Sequence, residues 1–181
     1  MGRSAVVDTE DTGTTETLMK SRIEIFIIFV FSSVGLCSDK PDYRGTWVLD
    51  KERSFSNPSG FDQQMSITQK GEVVKLEGKQ TTAKGETVIS ESYTLDAKEV
   101  DFTPTPAAPG TKGKRKSFWL ADGRSFVVND TITTESASGQ VTQQVIRKWR
   151  LSSDGATLTI DYHFDSPRVQ GESKRVFVRK R

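Results

Sequence analysis

Cysteine and histidine are nearly missing from this chain of 181 residues, which has one of each, Cys37 and His163. One cysteine cannot close an internal disulfide, and one Cys with one His cannot build a zinc site of the usual four-ligand kind. A Cys–His nucleophilic pair is argued against by the place of Cys37, next to a short apolar N-terminal run. A dominant charge is lacking too. Lys and Arg number 26 against 24 Asp and Glu, a formal net charge of +2. Such a balance excludes a dedicated nucleic-acid binder, which needs a strongly basic surface. Apolar residues make up only 34%. A core this thin favours strands that show one face to water. Beyond Tyr43 no stretch keeps a 3.6-residue period, which excludes a helical bundle. Gly110-Thr111-Lys112-Gly113-Lys114 lacks the spacing and the following helix of a phosphate loop. With no nucleophile–base set and no metal cluster, neither an enzyme nor a cofactor is expected.

Long apolar runs are limited to one, Ile25 to Phe31, which is too short to span a bilayer. Lys20 and Arg22 precede it, and Ser32, Ser33 and Gly35 follow. That order is the basic, apolar and small-residue sequence of a secretory signal, with Glu24 as its one blemish. Residues 1–18 are polar and Thr-rich, and read as an extension ahead of a start at Met19. Residues 19–37 read as a signal peptide or lipoprotein signal, and residues 38–181 as the folded domain. Val34-Gly35-Leu36-Cys37 is loosely like a lipobox, although Leu36 is larger than that position wants. Cys37 is therefore either lipidated or cleaved away with its leader. The expected location is extracytoplasmic: periplasmic, secreted or anchored at the outer membrane. Lipid-anchored or peripheral membrane contact goes with the lipidated reading.

What the sequence does have is a regular ladder of turns. Lys70-Gly71, Lys84-Gly85, Asp96-Ala97, Asp122-Gly123, Ser138-Gly139, Asp154-Gly155 and Ser166-Pro167 recur along the chain, with runs rich in Val, Ile, Thr and aromatics between them. These predict ten strands, at 43–50, 62–69, 72–80, 86–95, 98–103, 113–120, 124–134, 140–152, 156–165 and 171–180. One long link interrupts them, from Pro104 to Gly113. Consecutive hairpins predict an all-β, antiparallel up-and-down meander, and closure into a barrel removes its open edges.

Register follows by counting outward from the turns. Asp154-Gly155, read as a type I′ pair, sets Leu151 opposite Leu158, Trp149 opposite Ile160 and Arg147 opposite Tyr162. Asp122-Gly123 sets Trp119 opposite Phe126. Aligning apolar faces across Ser138-Gly139 then sets Phe126 opposite Trp149. Two rows are predicted across four strands: Trp119, Phe126, Trp149, Ile160, and above it Ser117, Val128, Arg147, Tyr162. A slip of one residue would turn each apolar set to water.

Gly45-Thr46-Trp47 at the start of the first strand resembles the Gly-x-Trp signature of lipocalins and related calycin barrels. Trp149 to Gly155 also resembles a stretch found in bacterial envelope proteins of lipocalin-like type. The resemblance implies a barrel in which Trp47 closes one end and packs against an arginine of the last strand, either Arg175 or Arg179. Ten strands exceed the lipocalin eight. Fatty-acid-binding barrels have ten, but Lys51 to Phe61 is too short for their helical lid. Binding of a small hydrophobic or amphiphilic ligand is implied by this analogy.

Arg147 is the residue of most interest, a cation on the apolar face between Val145 and Trp149. Asp130 lies diagonal to it, with Arg115 opposite Asp130. One reading is an internal ion cluster that satisfies itself. The other is a polar anchor for a ligand carboxylate, in a cavity lined by Trp119, Phe126, Trp149 and Tyr162. A barrel filled by its own side chains, serving as a structural or interaction module of the envelope, is the rival function. His163 falls on the polar face with Asp161, without a second catalytic partner.

Overall fold

The computed structural model describes residues 40–55, 61–105, 107–137, 139–167 and 170–181. The extension, the signal and Cys37 lie outside the described residues. Ten strands and no helix are found among those described: β1 (Gly45–Leu49), β2 (Asp62–Lys70), β3 (Val73–Thr82), β4 (Gly85–Thr94), β5 (Asp96–Phe102), β6 (Thr111–Trp119), β7 (Ser125–Ser136), β8 (Gly139–Leu151), β9 (Thr157–Asp165) and β10 (Gln170–Arg179). Each bound lies within two residues of the expected one. All pairings are antiparallel, and the sheet runs β4-β3-β2-β1-β10-β9-β8-β7-β6-β5. Each hairpin pairs chain neighbours, and the β1–β10 ladder joins first strand to last. The all-β meander is thus nearly closed, with one junction, between β4 and β5, that no ladder spans.

The predicted rows are present. Trp119 faces Phe126, Phe126 faces Trp149, and Trp149 faces Ile160. Ser117, Val128, Arg147 and Tyr162 form the row above, and Arg115 faces Asp130. The turn type differs from expectation. A type I′ turn needs positive φ at both central residues, yet only Gly123 and Gly155 of the two Asp-Gly pairs have it. Gly155 N–H donates to Ser152 O at 3.0 Å and Gly123 N–H to Leu120 O at 3.0 Å. Each glycine is thus the left-handed residue that ends a four-residue turn. The aspartates brace these turns from outside: Asp122 Oδ1 accepts from Arg124 N–H and Ser125 N–H, and Asp154 Oδ1 from Ala156 N–H. Register survives because Ser152 still pairs with Thr157 and Leu120 with Ser125.

Inward positions alternate with outward ones. Along β2, Gln63, Met65 and Ile67 are buried and their neighbours exposed. One end of the barrel is densely filled. Trp47 is fully buried, its Nε1–H donates to Tyr43 O at 3.0 Å, and the Arg179 guanidinium lies 4.6 Å above its ring. Arg179 also donates to Gly155 O, Arg44 O and Asp42 O at 2.9, 2.7 and 2.9 Å. Gly45 has φ +134, where side chains are rarely accommodated, and a Cβ there would sit 3.4 Å from Arg179 Nη1. Arg179, which faces Trp47 across the β1–β10 ladder, is therefore the arginine that the Gly-x-Trp resemblance implies. Arg175 is not. It lies two pleat repeats further in, facing Ile160, and points into the barrel beside Phe61 and Tyr162.

Candidate functional site

The interior is stratified. Lowest, above Trp47, is an aromatic slab. Phe126 stacks on Trp149 with centroids 5.2 Å apart, Trp119 meets Phe126 edge-on at 5.6 Å, and Tyr93 meets Trp149 at 5.8 Å. Tyr43 packs on Phe126 at 5.0 Å, and its hydroxyl donates to Arg124 O. Trp119 Nε1–H donates to Glu72 at 2.8 Å. Three of the expected ligand-lining residues, Trp119, Phe126 and Trp149, thus pack against one another and fill this level.

Above the slab lies a buried ion cluster. Asp130 takes a two-pronged bond from Arg115, Nε–H at 2.7 Å and Nη2–H at 2.9 Å, and a third from Arg147 Nη2–H at 2.5 Å. Glu91 on β4 completes the set, accepting from Arg147 Nη1–H at 2.8 Å, Arg115 Nη2–H at 3.1 Å and Tyr93 O–H at 2.7 Å. Two guanidinium groups meet two carboxylates, so the cluster is neutral. Burial pushes the Glu91 carboxyl up, but Arg147, Tyr93 and Arg115 together hold it below the ordinary value of 4.5. Burial drives the Tyr93 hydroxyl well above its ordinary value, so it stays a donor. Burial alone would lower Arg147, yet its partners hold it firmly protonated.

Arg175 stands apart from this cluster. Its guanidinium lies between two rings, 4.5 Å from Phe61 and 4.4 Å from Tyr162, and Nη1–H donates to Gln63 Oε1 at 3.0 Å. No carboxylate among the described residues pairs with it, and its Nε is buried without a partner. A half-buried cation held by aromatics and one amide has unspent capacity for an anion. Further up, the inward residues Ile89, Ile132, Val145 and Phe164 are only partly covered and leave an apolar upper level. Two concavities of about 780 and 670 Å³ lie elsewhere, one mostly against outward residues of β1 to β4 though it also touches Gln63 and Met65, the other beside Asp42 and Arg179 at the closed end.

Sequence reasoning placed Arg147 and Tyr162 on one face, and the structure sets them side by side in neighbouring strands. It missed Glu91 and Tyr93. The signal was available: Ile89, Glu91 and Tyr93 alternate on one face of their strand, so a carboxylate between two apolar residues had to point inward. The Tyr162 ring lies 4.4 Å from the Arg175 guanidinium. His163 lies on the outer face, half exposed, 3.6 Å from Glu172.

No family model matches the chain, and no curated protein matches it. Solved structures do. Lipid binding protein 8 (LBP-8) of Caenorhabditis elegans, in its apo form, superposes with a TM-score of 0.52 at 12% identity, over 76% of this chain and 95% of that one. A fatty acid transporter, REP1-NXSQ, gives 0.48 at 15% identity over 76% and 96%. An SAHS protein of Ramazzottius varieornatus gives 0.48 at 11% over 76% and 94%. The likeness to LBP-8 shows a shared fold, the lipocalin-like barrel in its ten-strand form.

Proposed function

We propose that this chain is an exported carrier or receptor for a small amphiphilic anion, with a lipophilic carboxylate as its simplest form. The observation that carries the reading is Arg175, an inward cation clamped between Phe61 and Tyr162 with no carboxylate partner among the described residues. A ligand carboxylate supplies the missing counter-charge, and its chain lies along the partly covered apolar residues of the upper level. Arg147, with Nη1 and Nη2 committed to Glu91, Tyr93 and Asp130, holds the barrel wall instead. The barrel of lipid binding protein 8 agrees with this use of the fold. Export rests on the apolar run Ile25 to Phe31 with Lys20 and Arg22 before it.

Displacement of a fluorescent fatty acid by unlabelled fatty acid tests the reading. Saturable binding is expected, with Arg175→Gln binding about tenfold or more weakly, the loss of a charge-assisted contact. No binding, or equal binding by the variant, overturns it. Cell fractionation of the full chain tests export, which is defeated if the protein stays with the cytosol. A second reading, an envelope module with a self-filled barrel, is favoured by the aromatic slab and the self-neutral ion cluster. Native mass spectrometry separates the two: co-purified lipid supports the carrier, and a bare chain that also refuses added lipid supports the module.

A further inference from the structure

Nine of the ten strand junctions a closed barrel would need are backbone ladders, and the junction between β4 and β5 is not one of them. What spans it is side chains. Arg115, on β6, reaches past β5 to Glu91 Oε2 at 3.1 Å and to the backbone oxygen of Ser92 at 3.5 Å. Arg147 comes from the far wall to the same Glu91 oxygen at 2.8 Å and to Tyr93 Oη at 3.0 Å. Among the described residues, the polar bonds from β6 and β8 to β4 thus end within Glu91, Ser92 and Tyr93, and of these β4 atoms Glu91 Oε2 is the one that receives both arginines.

The other side of the junction is the least anchored strand of the sheet. Six of the seven residues of β5 are exposed. Its only ladder, to β6, is broken between Asp96 and Glu99. Ala97 at its base has φ 62, a left-handed backbone, and sits in that break. Inside β5, Val100 is half exposed opposite Arg115, and the Phe102 ring lies 4.1 Å from the Arg115 guanidinium. Separating β4 from β5 breaks side-chain bonds and no ladder, so this is where local opening costs least. The side chains that span the junction are those of the ion cluster itself.

We infer that the β4–β5 junction is the gate through which ligand enters and leaves, that Glu91 is the latch holding it shut, and that β5 swings on the bulge at Ala97. The gate rests on the carrier reading above. Glu91 is a positioning residue here: it touches the two arginines and not the ligand. Weakening it lowers the barrier in both directions, so rates change while affinity scarcely moves.

The test uses the full chain with Glu91→Gln, which keeps the shape and removes the charge. Phe102→Ala is the second variant, loosening β5 without touching the carboxylate. Stopped-flow mixing with a fluorescent fatty acid should show association and dissociation both about tenfold faster in each variant, with Kd changed less than about threefold. Hydrogen exchange should quicken at the β5 amides bonded to β6 and stay unchanged along β7 and β8. Faster exchange with unchanged binding rates overturns the gate and leaves the carrier standing. A wild-type chain that binds no fatty acid overturns the carrier, and the gate with it. Unchanged exchange in both variants overturns the latch.

Discussion

Arg147 and Glu91 meet at 2.8 Å inside the barrel although 56 residues separate them in the chain. Between them they tie the far wall, β8, to the strand that begins the free edge. The pair sits within a cluster of four charges that sums to zero, and its energetics follow from that closure. Such a set is costly to break on one side only, because the partners left behind stay buried and charged. Arg147→Ala should therefore destabilise the fold by about 3–5 kcal/mol, the usual cost of orphaning a buried charge. Urea denaturation measures it. A loss under about 1 kcal/mol would mean that water reaches the cluster freely.

Acid should act on the same group. The folded Glu91 titrates below its ordinary value of 4.5. A carboxylate whose folded value is depressed adds stability that is fully present above the unfolded value and disappears as pH falls through the folded one. The urea midpoint should accordingly drop below about pH 4.5, and Glu91→Gln should show a shallower drop over that window. Parallel curves for the two proteins would assign the acid sensitivity to other carboxylates.

Gly113 is buried under the Phe102 ring, and a Cβ there would stand 2.5 Å from Phe102 Cε1. Gly113→Ala should cost about 1–3 kcal/mol, as overpacking usually does. Removing the ring should relieve the clash, so Phe102→Ala combined with Gly113→Ala should lose less than the two single losses added together. Additive losses would show that the backbone at Gly113, and not the ring, sets the requirement.

Arg179 holds the closed end through three backbone oxygens and the face of Trp47. Lysine keeps the charge but cannot span three carbonyls with a planar fork. Arg179→Lys should cost about 1.5–3 kcal/mol, near the value of a charge-assisted hydrogen bond. Thermal unfolding reads the loss. Near-identity with wild type would assign the closure to Trp47 burial alone.

The fold was legible because its information is local. Each hairpin carries its own turn residues, and alternation between turns leaves one register that hides Trp119, Phe126, Trp149 and Ile160 together. The turn type was misread because Asp-Gly fits two geometries. The aspartate side chain settles the matter by bonding backbone N–H groups beyond the glycine, a choice that depends on its neighbours. The site was legible only where it stayed within adjacent strands: Arg115, Asp130 and Arg147 are linked by turn counting. Glu91 could be assigned a face but no partner, since it meets them across an unladdered junction. The arginine facing Trp47 had two candidates, Arg175 and Arg179, that spacing alone could not separate. They parted only when β10 was registered against β1 and β9 at once.

The ladder between β1 and β10 has a bearing on how the chain comes into being. Arg179 donates to Arg44, 135 residues earlier. Every other ladder lies between strands consecutive in the chain and can zip up as each hairpin is made, but this one must wait until β10 exists. Until then Trp47 has no lid and β1 presents a bare edge. The folding molecule therefore passes through a sticky, half-rolled stage that lasts until β10 reaches β1, and that interval is when a chaperone would matter most.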